Sequence, residues 1–192
     1  MLCKHIATLN DNNPCLTKWQ QLVTCQSISY TIPAHPLNRQ GETEGILIGG
    51  NLSVLYGLQG TPYSLTNCIQ KHKAEGKKTL LFIEDISERH YHIDRMMQNL
   101  RLSGVLAQIS GLIVGQFSEC DNDPSILQQR PSTTCFPQTE TIYQTILRAV
   151  EQYDYPTLFD FPAGHVDNSF PFMLGAYTKV HISSNSSNFL QP

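Results

Sequence analysis

Nowhere in these 192 residues does an apolar run approach the about eighteen that a membrane-crossing helix needs. The N-terminus also lacks a charged stretch leading into an apolar one, so the chain reads as unexported and cytoplasmic, with no membrane partner. Positive charge is scarce: 13 Lys and Arg stand against 16 Asp and Glu, for a net charge of −3. No run of Lys or Arg concentrates what there is, which argues against nucleic acid as a partner. Six cysteines (Cys3, Cys15, Cys25, Cys68, Cys120 and Cys135) include no C-x-x-C pair and no matching Cys/His doublet. A zinc site or a disulfide framework has no support from such spacing, and free thiols in a reducing compartment are the better reading. There is no internal repeat, and no G-x-S-x-G elbow offers a nucleophile.

A hydrophobic content of 40% is enough for one core of ordinary size. Residues 1–27 read as an irregular N-terminal segment: Asn10, Asp11, Asn12, Asn13 and Pro14 make a turn cluster, and only residues 16–23 could form a short helix. Ile32-Pro33-Ala34-His35-Pro36 forces an extended path. Residues 183–192 are rich in Ser and Asn, with only Phe189 and Leu190 to pack, and are expected to be a disordered tail. The fold is placed at residues 28–182. Within it, residues 45–48, 79–83, 111–114, 157–161 and 179–182 are short runs with strand character. Ile93, Met96, Met97 and Leu100 fall at helical spacing, as do Ile142, Ile146 and Val150. Residues 120–137 read as a long loop or insertion. The expected class is α/β, mixed α and β.

Several short motifs occur in order. They are G-E-T-E-G-I-L-I-G-G-N-L-S at 41–53, G-T-P-Y at 60–63, F-I-E-D-I at 82–86 with Tyr91 and I-D-R-M at 93–96, G-L-I-V-G-Q-F at 111–117 and F-P-A-G-H at 161–165. No one of them decides anything alone. In this order and spacing they resemble the C-terminal half of the LD-carboxypeptidase family, which contains murein tetrapeptide LD-carboxypeptidases and microcin C immunity peptidases. The resemblance implies a swivelling β/β/α-type domain with short strands and two main amphipathic helices. It also implies a serine peptidase whose N-terminal domain carries the nucleophile, while the C-terminal domain supplies the glutamate and histidine of a Ser-Glu-His triad. These fall on Glu84 and His165. The family's G-Y-S-D type turn has no counterpart in these residues, so a missing N-terminal serine domain is an expected partner and the chain alone is expected to be inactive. Other implied partners are a muropeptide substrate and a second copy in a homodimer; no cofactor and no metal are implied. The implied reaction is hydrolysis of the L,D bond to the terminal D-alanine of a muropeptide tetrapeptide. The alternatives are a microcin C-type amide-cleaving fragment and a non-catalytic module that binds muropeptides or a partner.

The residue types suit that chemistry. A serine hydroxyl attacks only when an imidazole takes its proton, and a carboxylate on the other ring nitrogen fixes the tautomer and stabilises the imidazolium. Glu84 and His165 are therefore expected to converge on one concave face, ringed by exposed apolar side chains. Taken without the resemblance, Glu84 could pair with Arg95 or Lys78, and His165 could be a turn residue bonded to backbone. Gly49, Gly50 and Asn51 either line the substrate pocket or form a strand-to-helix turn with Asn51 as N-cap. His90 and His92 flank Tyr91 without a third metal ligand and read as solvent-exposed. Asp94 and Arg95 suggest a structural ion pair at a helix start.

Overall fold

The computed structural model describes residues 14–120 and 141–192. The expected insertion therefore lies mostly outside the described residues, as do Cys3, Cys135 and nearly all of the turn cluster at 10–14. Among the described residues seven strands form one sheet in the order β1-β7-β6-β2-β3-β4-β5. The strands are β1 (Ile28–Pro33), β2 (Gly41–Asn51), β3 (Thr79–Ile86), β4 (Gly111–Ser118), β5 (Thr157–Leu158), β6 (Tyr177–Ile182) and β7 (Ser186–Gln191). Strands β2 to β5 are parallel, whereas β6, β7 and β1 add antiparallel pairs beyond β2. The helices are α1 (Pro14–Val23), α2 (Leu52–Gly57), α3 (Leu65–Ala74), α4 (His90–Leu102) and α5 (Ile142–Val150).

Burial follows this division. Thr79 to Asp85 of β3 are all buried, as expected of a parallel strand covered on both faces. β1 and β6 instead alternate buried and exposed residues, the mark of antiparallel strands with one wet face. β2 changes from one regime to the other, alternating at its start beside β6 and continuously buried from Gly45 to Ile48. The alternation of side chains sorts the sheet into two cores. Ile48, Leu81, Ile83, Leu112 and Val114 face α2 to α5, while Leu47, Leu80, Phe82 and Ile113 face a layer that includes Tyr30, Phe161, Phe189 and Leu22 of α1. Both predicted helical stripes are buried. A capping box of Thr141 and Gln144 starts α5.

Four expectations need correction. The tail is not disordered in the structure: residues 186–191 form β7, which pairs with both β1 and β6. Its polar composition hides an alternation in which Ser187, Phe189 and Gln191 point inward. The Gln191 amide is satisfied there, since Nε2 donates to Met173 O at 2.8 Å and to Thr178 Oγ1 at 2.9 Å, and Oε1 accepts from Met173 N at 2.9 Å. The N-terminal segment is likewise not wholly irregular: the short helix allowed at 16–23 forms as α1 and buries Cys15 and Leu22. His90 is not exposed; it is buried at the start of α4 and bonded to Thr145 of α5, while His92 turns to Glu88 at 2.8 Å. Residues two apart on a helix do not share a face, so the two rings diverge. Asp94 pairs not with Arg95 but with Arg148 of α5 at 3.1 Å, and Arg95 lies over the Tyr91 ring.

Phe189 is fully buried with its ring 4.9 Å from that of Phe161. Truncation of such a side chain typically costs about 3–5 kcal/mol. Phe189→Ala is therefore expected to lower the unfolding free energy by that order, read as a lower urea midpoint, whereas a chain with a loose tail would unfold unchanged.

Candidate active site

Three of the elements that carry the singled-out residues end side by side. Asn51 closes β2 and is in register with Glu84 near the end of β3. Between Ile83 and Asp85 the pairing of β3 with β4 slips, with Ile83 opposite Val114 but Asp85 opposite Phe117. Such an irregularity re-aims the side chains at the strand end. Glu84 and Asp85 then point to opposite faces, as successive strand residues do.

On one face Glu84 meets His165. The distance from His165 Nδ1 to Glu84 Oε2 is 2.8 Å, with the carboxylate buried and the imidazole partly open to solvent. An ionised carboxylate only accepts, so Nδ1 carries the proton and Nε2 is left as the basic nitrogen. His165 rides on a loop that follows β5 and is laid across the end of β4. Phe161 N donates to Val114 O at 3.0 Å, and Gln116 N donates to Ala163 O at 2.9 Å. The approach is close enough that a Cβ on Gly115 would sit 2.4 Å from Ala163 O. Gly164 has a φ of +140°, and a Cβ there would lie 3.1 Å from Glu84 Oε2. A glycine before the histidine thus lets the backbone pass directly over the carboxylate.

On the opposite face Asp85 is 1% exposed and gathers the start of α2. It accepts from Asn51 Nδ2 at 2.8 Å, Ser53 N at 2.9 Å and its neighbour Ile86 N at 2.9 Å. Asn51 Oδ1 in turn accepts from Val54 N at 3.1 Å and Ser53 Oγ at 2.7 Å. The turn reading of Gly49-Gly50-Asn51 is therefore the one the hydrogen bonds display, with Asn51 as N-cap. Gly49 has no alternative, since a Cβ would fall 1.9 Å from Phe82 O. Asp85 was not singled out in the sequence although it stands next to Glu84; no local signal marks which of two adjacent carboxylates faces a helix start.

Glu84 pairs with neither basic residue named as an alternative. Lys78 lies beyond the opposite end of β3, and Arg95 is on Tyr91. Exposed apolar side chains include Val54 and Tyr56 on α2, which starts on the Asp85 face, and Met173 and Leu174 just before Gly175, whose N–H bonds to Leu47 O of β2 at 2.7 Å. Among the described residues no group of three His, Cys, Asp or Glu side chains is placed to hold a metal ion, and no helix is long and apolar enough to cross a membrane.

The family profile described as the LD-carboxypeptidase C-terminal domain matches residues 44–180. The chain belongs to the LD-carboxypeptidase family. Within it, this LD-carboxypeptidase domain is 33% identical over 183 residues to a Bacillus subtilis (strain 168) protein named "Probable murein peptide carboxypeptidase", a match covering 93% of this chain and 51% of that protein. It is 27% identical over 139 residues to the murein tetrapeptide carboxypeptidase of Pseudomonas aeruginosa, covering 72% of this chain and 38% of the relative. The chain thus spans about half the length, or less, of the curated relatives it matches. Among solved structures, the muramoyltetrapeptide carboxypeptidase of Oxalobacter formigenes superposes with a TM-score of 0.73 at 21% identity, over 96% of this chain and 56% of that one. The fold is shared with it.

Removing the Asp85 carboxylate leaves the partly buried Asn51 amide and Ser53 N–H without their partner, a loss towards the lower end of the about 1–3 kcal/mol that a buried group left unsatisfied costs. Asp85→Ala should destabilise the domain by that order and speed hydrogen exchange at Ser53 and Val54. Unchanged exchange there would show that α2 does not depend on Asp85.

Proposed function

We propose that this domain supplies Glu84 and His165 to a Ser-Glu-His triad that hydrolyses a murein peptide, with the serine contributed from outside these 192 residues. The observation that carries the reading is the 2.8 Å bond between His165 Nδ1 and Glu84 Oε2 at the carboxyl end of the parallel strands. With Nδ1–H held by Glu84, Nε2 takes the serine proton as the hydroxyl attacks the amide carbonyl and returns it to the departing amine. Glu84 orients the ring and stabilises the imidazolium that forms between these steps. The second half-reaction repeats the sequence with water, as the ester on serine is hydrolysed.

The assigned substrate is a muropeptide tetrapeptide, cut at the L,D bond to its terminal D-alanine in the cytoplasm. The names of the relatives support that class. Gly49, Gly50 and Asn51 serve it through backbone: the Asn51 side chain is spent on the cap, so Gly50, with φ of +141° and open space where a Cβ would lie, presents main chain towards the substrate side. A second reading is a microcin-type amide as substrate. The microcin C7 self-immunity protein of Escherichia coli is 26% identical over 148 residues and covers 77% of this chain, and its complex with glutamyl sulfamoyl guanosine has a TM-score of 0.58.

The test is a fusion of this chain to the N-terminal half of the Bacillus subtilis relative. D-alanine release from an L,D-tetrapeptide is expected from the fusion and not from the 192 residues alone. His165→Ala should lower kcat by about 10⁶-fold, and Glu84→Gln by about 10⁴-fold. Turnover by the isolated chain, or an active His165→Ala fusion, would contradict the assignment; release of an aminoacyl group from a microcin-type amide, with no D-alanine, would favour the second reading.

A further inference from the structure

The His165 loop begins at a residue with unusual backbone. Asp160 has φ of +61°, a conformation that non-glycine residues adopt rarely and that Asp and Asn tolerate best. It is exposed, whereas the next residue, Phe161, is fully buried, so the chain turns sharply between them. Two side chains from different elements converge on its carboxylate: Gln116 of β4 donates Nε2 to Asp160 Oδ1 at 2.9 Å, and Tyr143 of α5 donates its hydroxyl at 3.4 Å while also reaching Gly115 O at 3.1 Å. The same Gln116 amide donates to Phe161 O at 3.2 Å. Its backbone N–H holds Ala163 O, and its carbonyl lies under Gly164. Gln116 thus meets the loop at Asp160, Phe161, Ala163 and Gly164, the last being the residue before His165. Burial, and after it the nearby Asp160 charge, push the Tyr143 pKa up, which keeps the hydroxyl protonated as a donor.

We propose that Asp160 and Gln116 form a clamp that positions His165, setting the direction in which the loop leaves the core so that the imidazole lands on Glu84. This rests on the reading of His165 as the proton carrier. Both are positioning residues. Phe161 and the β4 pairing secure the fold without them; the exposed Asp160 side chain has no core to fill, and what it fixes is the local turn.

The test uses the 192-residue chain uniformly labelled with ¹⁵N and reads the Nδ1 proton of His165 bonded to Glu84. Asp160→Ala and Gln116→Ala should each abolish that resonance through exchange with water, while the amide resonances of the sheet stay in place. Asp160→Asn should retain it, because Asn adopts the same backbone region and its Oδ1 still accepts from Gln116. Persistence of the resonance in both alanine variants would overturn the clamp, as would its loss in Asp160→Asn to the same degree as in Asp160→Ala. Its absence from the unsubstituted chain would overturn the Glu84–His165 pair itself, and the clamp with it. Because the readout is independent of turnover, a failed clamp and a failed hydrolase assignment are told apart.

Discussion

The Glu84–His165 hydrogen bond depends on a backbone approach that only glycines permit, and much of the domain is arranged around that approach. Gly164 passes over the carboxylate, and Gly115 lets the loop carbonyl at Ala163 settle on β4. A methyl group would block the contact at Gly115, and at Gly164 it would crowd the carboxylate in a backbone conformation that L side chains rarely adopt. A buried carboxylate is costly unless bonded, and here the imidazole on the sheet's far edge loop meets that need while acquiring a fixed tautomer. The site is thereby made on two segments 81 residues apart whose meeting is set by strand order.

Strand alternation divides the work of two neighbouring carboxylates. Glu84 faces the aromatic layer of Phe82 and Phe161 and the histidine loop, while Asp85 faces the helices and ties down the turn that closes β2. A residue slip at the β4 pairing accommodates both. The same E-D pair therefore joins the imidazole contact on one face to architecture on the other, and the turn at Gly49 and Gly50 is held by a bond that never touches the Glu84–His165 pair.

What was legible in the sequence followed from burial. β3 and β4 are covered on both faces and show continuous apolar runs, and α4 and α5 bury clean stripes at helical spacing. β1 and β7 escaped; in β7 two of the three inward residues, Ser187 and Gln191, are polar, with Gln191 satisfied only once residues 173–178 fold against it and Ser187 accepting from Asn38 Nδ2 at 3.5 Å. The Glu84–His165 pair was reached through the order of its motifs, since no periodicity connects positions so distant. Asp85 and the Asp160–Gln116 contact gave no local signal at all. Each is defined by partners on other elements.

The central claim is that Glu84 and His165 act as one unit in proton transfer. A double-mutant cycle on kcat of the joined enzyme tests it most directly. If the carboxylate works only through the imidazole, adding Glu84→Gln to His165→Ala should cost nothing beyond His165→Ala alone. Losses that multiply, as for two independent groups, would contradict the account.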